Sequence, residues 1–116
     1  MRLQLTAHGI ELTPELREYV QRRIHFALGR FSRRIERLWV RLSEVDGPRV
    51  SLDKWCTIRV DAGLSQVVVV SERQDDIHAA VALAVDRSAR TVERRLRLLD
   101  RTEPDTSVSR SANVRE

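Results

Sequence analysis

Residues 75–99 carry the strongest periodic pattern in the chain and predict a long helix with two unlike faces. At 100° per residue, the apolar members fall within a stripe roughly 100° wide, which is the width of a core-facing helix. The stripe consists of Ile77, Val81, Val85, Ser88, Val92, Leu96 and Leu99. Nearly opposite, within about 80° of one another, lie Arg87, Arg90, Arg94 and Arg97. We therefore expect a helix that packs by one face and presents a row of guanidinium groups on the other.

A strand and a shorter helix are predicted at the start of the chain. Residues 2–8 alternate between apolar and polar positions, which is the period of a half-buried strand. Thr13, Pro14 and Glu15 follow as an N-cap, a proline at the first helical position and an acid in the first turn. Gly29 is the expected terminator. The apolar face of this helix consists of Leu16, Tyr19, Val20, Ile24 and Ala27.

Three more strands are predicted between the two helices. Residues 37–45 alternate, with Leu38, Val40 and Leu42 on the inner side. After a loop that runs to Asp53 or Lys54, the inward residues Cys56, Ile58, Val60 and Ala62 predict a third strand. The β-branched run at 67–70 predicts a fourth strand joined to it as a hairpin through Gly63. Asp75 or Asp76 is then expected to cap the long helix.

The predicted order β-α-β-β-β-α describes an α+β domain over residues 1–100. Two amphipathic helices on one face of a four-stranded sheet would bury both apolar stripes in a two-layer sandwich. A chain of 116 residues suffices for one such core. A polar loop is predicted to begin at residue 46, and residues 101–116 are polar and aperiodic, which predicts a disordered tail.

Charge adds a candidate function to this architecture. Arginine accounts for 20 of the 21 basic residues, and the formal net charge is +4. The guanidinium fork suits phosphate groups, although a GC-rich genome produces the same bias, and both explanations stay open. The first helix and the residues after it add Arg17, Arg22, Arg23, Arg30, Arg33 and Arg34. Because the long helix has no aromatic residue for base stacking, an RNA ligand would be held by its phosphates and shape; a solvated face is the alternative.

The sequence offers little for catalysis, metals or membranes. Cys56 is the only cysteine, which excludes an internal disulfide, and its inward strand position favours core packing over a reactive thiol. His8, His25 and His78 lack metal-ligand spacing, and no phosphate-loop motif is present. No segment has the apolar length of a signal peptide or a membrane span. We expect a cytoplasmic, non-enzymatic protein without a cofactor or a membrane partner.

Three blocks of the sequence resemble the ribosome hibernation promoting factors, also called ribosome-associated inhibitors or sigma factor modulation proteins, in their short form. The blocks TPELREYV, ALGRFSRRIERLWVRL and DDIHAAVALAVDR lie at matching separations within residues 1–100. The resemblance implies binding to the small ribosomal subunit and its ribosomal RNA, in the channel used by messenger and transfer RNA. It further implies that translation is shut down during stress or stationary phase.

The resemblance also assigns residues. Arg87, Arg90 and Arg94 stand where the family has basic residues after an aspartate, here Asp86, and Arg23 matches a basic position of the first helix. The helical wheel, rather than the family pattern, adds Arg22, Arg30, Arg34 and Arg97. Together these residues form the predicted RNA-binding site.

The chain departs from the family at several positions, and one rival function is open. His78 replaces the usual tyrosine, Ala82 replaces the usual aspartate, and the loop DGPRVSLDKWC is longer than in typical short members. The rival is a protein-protein regulatory module, either a weak homodimer or a partner complex. It would use Trp39 and Trp55 on the outer face of the sheet.

Overall fold

The computed structural model describes residues 1–45 and 53–102. Its elements follow the predicted β-α-β-β-β-α order. They are β1 (Arg2–His8), α1 (Pro14–Leu28), a 3₁₀ turn (Gly29–Phe31), β2 (Arg37–Glu44), β3 (Lys54–Asp61), β4 (Val68–Gln74) and α2 (Ile77–Thr102). The α+β prediction is therefore confirmed. Most of the predicted loop, residues 46–52, and residues 103–116 of the predicted tail lie outside the described residues.

The four strands form one sheet in the order β1-β2-β3-β4. β1 and β2 are parallel because α1 carries the chain back between them, whereas β2, β3 and β4 pair antiparallel. The register aligns Val40 with Ile58, and Ile58 with Val70, so apolar side chains from neighbouring strands share one face. Both helices cover that face, and neither of the two described helices lies on the opposite face.

Side-chain caps explain where both helices begin. The Thr13 hydroxyl accepts a hydrogen bond from the Leu16 N–H at 3.1 Å, as the sequence predicted. The Asp76 carboxylate accepts one from the His78 N–H at 3.1 Å, which assigns the cap of α2 to Asp76 rather than Asp75. α1 ends just before Gly29, the expected terminator. Gly29 nevertheless keeps a right-handed φ of −59° and opens the 3₁₀ turn, so it is not a left-handed cap.

Two elements are longer than the sequence pattern predicts. β4 continues beyond the β-branched run to Gln74, because its polar residues keep pairing with β3 through Lys54. Backbone pairing does not require apolar side chains, so periodicity alone could not place this end. α2 continues to Thr102, two residues into the predicted tail, while Leu99 is 38% exposed rather than buried with the rest of the stripe.

The core is filled mainly by aliphatic side chains from the sheet and both helices. From α2, the predicted stripe residues Val81, Val85 and Val92 are fully buried, and alanines fill the spaces between them. Ser88 is also fully buried, and its hydroxyl has no hydrogen-bond partner among the described residues. Cys56 lies at the inward position that the sequence predicted, with no exposed surface.

Two glycines in left-handed conformations provide a matched test of the fold. Gly9 has a φ of +75°, and a Cβ there would lie 3.0 Å from the Glu44 carbonyl oxygen. Gly63 has a φ of +72°, but a Cβ added there would have no atom of the described residues within 4 Å. Gly63→Ala should cost about 1–2 kcal/mol for the backbone conformation alone. Gly9→Ala should cost more in urea unfolding, because β2 must also move; equal losses would contradict this contact.

Burial raises the pKa of the Cys56 thiol to about 12, because the thiolate would lose its solvation. Iodoacetamide should therefore label the native protein far more slowly than the urea-unfolded chain at pH 8. The folded pKa lies above the unfolded value, so the thiol's contribution to stability is complete below about pH 9 and is lost as the pH rises towards 12. Cys56→Ala controls for labelling elsewhere, and rapid labelling of the native protein would show a reactive site.

Candidate nucleic-acid interface

The backs of α1 and α2 form one exposed surface over the sheet. Contacts between the helices advance in the same direction along both, from Arg23 with Asp86 to Arg30 with Glu93, so the helices run parallel. Their apolar faces are buried beneath them. The predicted arginines lie on these two helices or on the turn that follows α1. Arg87 lies at the side of α2, where it meets β4.

A ladder of ion pairs joins the two helices along this surface. The acidic members come from α2 at seven-residue spacing, which is about two helical turns. Between guanidinium nitrogens and carboxylate oxygens, the pairs are Arg23–Asp86 at 3.3 Å, Arg30–Glu93 at 3.0 Å and Arg34–Asp100 at 3.4 Å. We call these three pairs the interhelical ladder. Each of its arginines is therefore partly neutralised by a neighbour within the protein.

Two further predicted arginines have acidic partners. Arg97 pairs with Glu93 at 2.7 Å, one turn away on α2, so Glu93 serves both Arg97 and Arg30. Arg87 pairs with Glu72 of β4, which ties the side of α2 to the edge of the sheet. The Arg97–Glu93 pair is partly exposed, and a solvent-exposed pair contributes about 0–1 kcal/mol. Glu72 is more enclosed, with a side chain 19% exposed against 55% for Arg87.

Three predicted arginines keep an uncompensated charge. Within the described residues, Arg22, Arg90 and Arg94 have no acidic partner within 4 Å. Arg22 lies with its guanidinium carbon 6.0 Å from the centre of the Tyr19 ring. Of the eight predicted positions, these three therefore keep a charge that no carboxylate of the described residues offsets, and we call them the unpaired arginines.

Phe26 is a surface residue that the sequence pattern did not assign to the site. It lies on α1 four residues after Arg22 and four before Arg30, and it is 88% exposed. Side chains at this spacing share a helix face. A phenyl ring this exposed gains almost no stabilisation from packing in the core. Its position outside the apolar stripe of α1 is the sequence feature that could have identified it as a surface residue. α1 therefore supplies the aromatic group that α2 lacks.

His78, the main departure from the family pattern, lies where α1 meets α2. The Tyr19 hydroxyl donates to the His78 carbonyl oxygen at 3.2 Å, and the two rings meet edge to face with centres 4.6 Å apart. The His78 ring also lies 3.6 Å from the Asp76 carboxylate. The histidine thus takes part in the contact between the helices.

The tryptophans of the rival hypothesis lie on the opposite side of the molecule. Trp39 and Trp55 both project from the outer face of the sheet, on the adjacent central strands β2 and β3. Each is half-buried and has an arginine over its ring. The outer face is therefore not a purely apolar patch.

Residues 1–45 and 53–102 offer no cluster of metal ligands. In this part of the chain, no group of three or more histidine, cysteine, aspartate or glutamate side chains is placed to hold a metal ion. Neither described helix combines the length and apolar composition that a bilayer span requires.

Comparisons with known proteins agree with the fold. The ribosomal subunit interface protein from Coxiella burnetii is 18% identical, with a TM-score of 0.68 over 84% of this chain and 99% of that chain. The N-terminal domain of Thermus thermophilus Protein Y is 28% identical, with a TM-score of 0.63 over 82% of this chain and 99% of that chain. No curated protein sequence matches this chain significantly.

The family comparison covers nearly the whole described domain. Residues 3–99 match the model of the family described as sigma 54 modulation protein / S30EA ribosomal protein. The match spans β1 to the last turns of α2, and so includes every residue of the predicted site. The resemblance seen in the sequence is thereby confirmed: the chain belongs to the sigma 54 modulation protein / S30EA ribosomal protein family, whose members associate with ribosomes.

Proposed function

We propose that residues 1–100 form a domain that binds the RNA of the small ribosomal subunit through the helix backs. Bound there, the domain blocks the channel for messenger and transfer RNA and inhibits translation during stress or stationary phase. It acts in the cytoplasm as a steric plug and not as an enzyme. The observation that carries this proposal is the set of unpaired arginines, Arg22, Arg90 and Arg94, on a rigid two-helix surface.

The chemistry of the surface suits a structured RNA held by its backbone. Guanidinium groups bind phosphates by paired hydrogen bonds, and such contacts set position and orientation without reading sequence. The unpaired arginines offer these contacts at once. The ladder arginines hold their side chains extended across the seam between the helices, where a phosphate can replace a carboxylate. Phe26 adds a ring for an unstacked base beside Arg22.

The packing beneath the surface supports a blocking role. α2 is anchored to β3 and β4 along its length, and α1 is held beside it by the interhelical ladder. A ligand therefore meets a surface that does not have to order itself before binding, which lowers the cost of association. To occlude an RNA-lined channel, a protein needs both a rigid shape and contacts to phosphates.

Reversing two unpaired arginines should abolish binding. Arg90→Glu with Arg94→Glu changes the surface by four charges and breaks no ion pair within the described residues. We expect at least a hundredfold loss of affinity for purified small subunits in co-sedimentation at low salt, with an unchanged melting temperature. Arg90→Lys with Arg94→Lys is the matched control and should retain binding with most of its salt dependence. Undiminished binding by the glutamate variant would overturn the proposal.

Neutralising Glu93 should act in the opposite direction. Glu93→Gln removes the carboxylate that serves both Arg30 and Arg97, and so releases two guanidinium groups towards phosphate. Binding to small subunits should become several-fold tighter, while the free energy of unfolding falls by less than about 1 kcal/mol. Glu11→Gln makes the same chemical change at an exposed position outside the ladder and should have a smaller effect on affinity. Weaker binding by Glu93→Gln would show that the ladder must stay closed.

A further inference from the structure

The outer face of the sheet is a second strongly basic surface. The residues of this face follow from the strand register, because side chains aligned across neighbouring strands point to the same side of the sheet. Its arginines are Arg2, Arg37, Arg41, Arg59 and Arg73, all exposed. Among the outward positions of the four described strands, Asp61 is the only acidic residue. The outward positions of the described strands thus hold five arginines and one aspartate.

Two tryptophans are set among these arginines. The Trp39 ring has the guanidinium carbons of Arg37 and Arg59 at 5.5 Å and 5.3 Å from its centre. The Trp55 ring has that of Arg73 at 5.1 Å. Cation-π contacts of this kind hold the indole rings and guanidinium planes in defined positions. Both kinds of flat group are surfaces on which nucleic-acid bases stack.

The charge of the face restricts what can bind there. Trp39 and Trp55 alone would suit a hydrophobic protein partner, as the rival hypothesis holds. A second copy of the chain, however, would place its own basic face against this one, and like charges at an interface are strongly unfavourable. The occupant must bring negative charge, and the exposed arginines favour closely spaced phosphates.

We propose that the outer sheet face binds single-stranded RNA. Its phosphates lie along the arginines, and its bases stack on Trp39, Trp55 and the neighbouring guanidinium planes. The two tryptophans lie four register positions apart on adjacent strands, which is about 13 Å along the sheet. An unpaired strand can turn separated bases towards both rings, whereas the bases of a duplex are already stacked and paired within it. This surface is distinct from the helix backs that carry the proposed function, since the sheet separates the two.

The hydroxyl groups between the tryptophans extend the polar surface. Thr57 and Ser71 lie opposite each other on β3 and β4, with their side-chain oxygens 2.8 Å apart. Next to them in the same register row is Arg41. This row provides hydrogen-bonding groups for the ribose and phosphate of a strand that crosses from Trp39 to Trp55.

The tryptophans report directly on this face, because the chain has only these two. Titration of the full chain with a short oligouridylate should quench the intrinsic fluorescence saturably, and the log of the affinity should fall linearly with log salt. A duplex RNA of the same length should bind at least tenfold more weakly in competition. Absence of quenching, or equal binding of the duplex, would overturn the proposal.

Matched double variants locate the binding. Arg41→Glu with Arg59→Glu should lower the affinity for labelled oligouridylate, measured by anisotropy, at least tenfold. Arg17→Glu with Arg33→Glu makes the same charge change at exposed positions outside both proposed surfaces and should lower that affinity much less. The proposal is wrong if this control variant loses as much as the sheet variant. It is also wrong if polyglutamate competes as well as the oligonucleotide, which would indicate an acidic protein partner.

Stacking is tested separately from charge. Trp55→Leu keeps an apolar group and every arginine of the face, and should weaken oligouridylate binding about fivefold to a hundredfold. Unchanged affinity would rule out stacking on Trp55. Failure here is distinguishable from failure of the proposed function, because small-subunit co-sedimentation of Arg90→Glu with Arg94→Glu tests the helix backs alone.

Discussion

The packing of α2 against the sheet is the interaction on which the other features depend. Its aliphatic stripe, with Val81, Val85 and Val92 fully buried, closes the core over β3 and β4. Removing this apolar surface from water is the main favourable term available to a small domain with no disulfide. Because one face of the helix must point inward, the rotation of α2 about its axis is set. Every polar position on its back then has a defined direction, including Arg90, Arg94 and the acids that meet α1.

The interhelical ladder follows from that rotation and from the parallel course of the helices. Asp86, Glu93 and Asp100 recur at seven residues, so they stay on the side of α2 that faces α1. Their pairs contribute little to stability because they are exposed. Their effect on the charge of the surface is larger, since they neutralise some of the predicted arginines and leave others without a partner among the described residues. The acidic residues therefore determine where the surface stays positively charged, and they divide the predicted arginines into paired and unpaired members.

The hydrophobic periodicity of the sequence predicted most of the fold, because the need to bury one face of each element produces that periodicity. The alternation of β1 to β3 and the helical stripe of α2 arise from the same core that the structure shows. The end of β4 was not predictable, since its polar residues pair through the backbone alone. The pairing of Arg87 with Glu72 was also hidden, because it depends on which strand lies beside α2. In the sequence, Phe26 could be recognised only as an apolar residue outside the apolar stripe of α1. The helical wheel indicated which arginines leave the core, but their role in binding remains a proposal.

The local distribution of charged residues describes the surfaces of this domain better than its net charge does. A formal net charge of +4 is modest for a protein proposed to bind RNA. The structure gathers Asp86, Glu93 and Asp100 at the seam between the helices, and leaves Asp61 alone among the outward strand positions described. Both broad surfaces are therefore locally far more basic than the average. A sheet one layer thick separates them, so the domain presents guanidinium groups in two opposite directions at once. The two proposals are therefore compatible, because a structured RNA on the helix backs and a single strand on the sheet face do not compete for the same side chains.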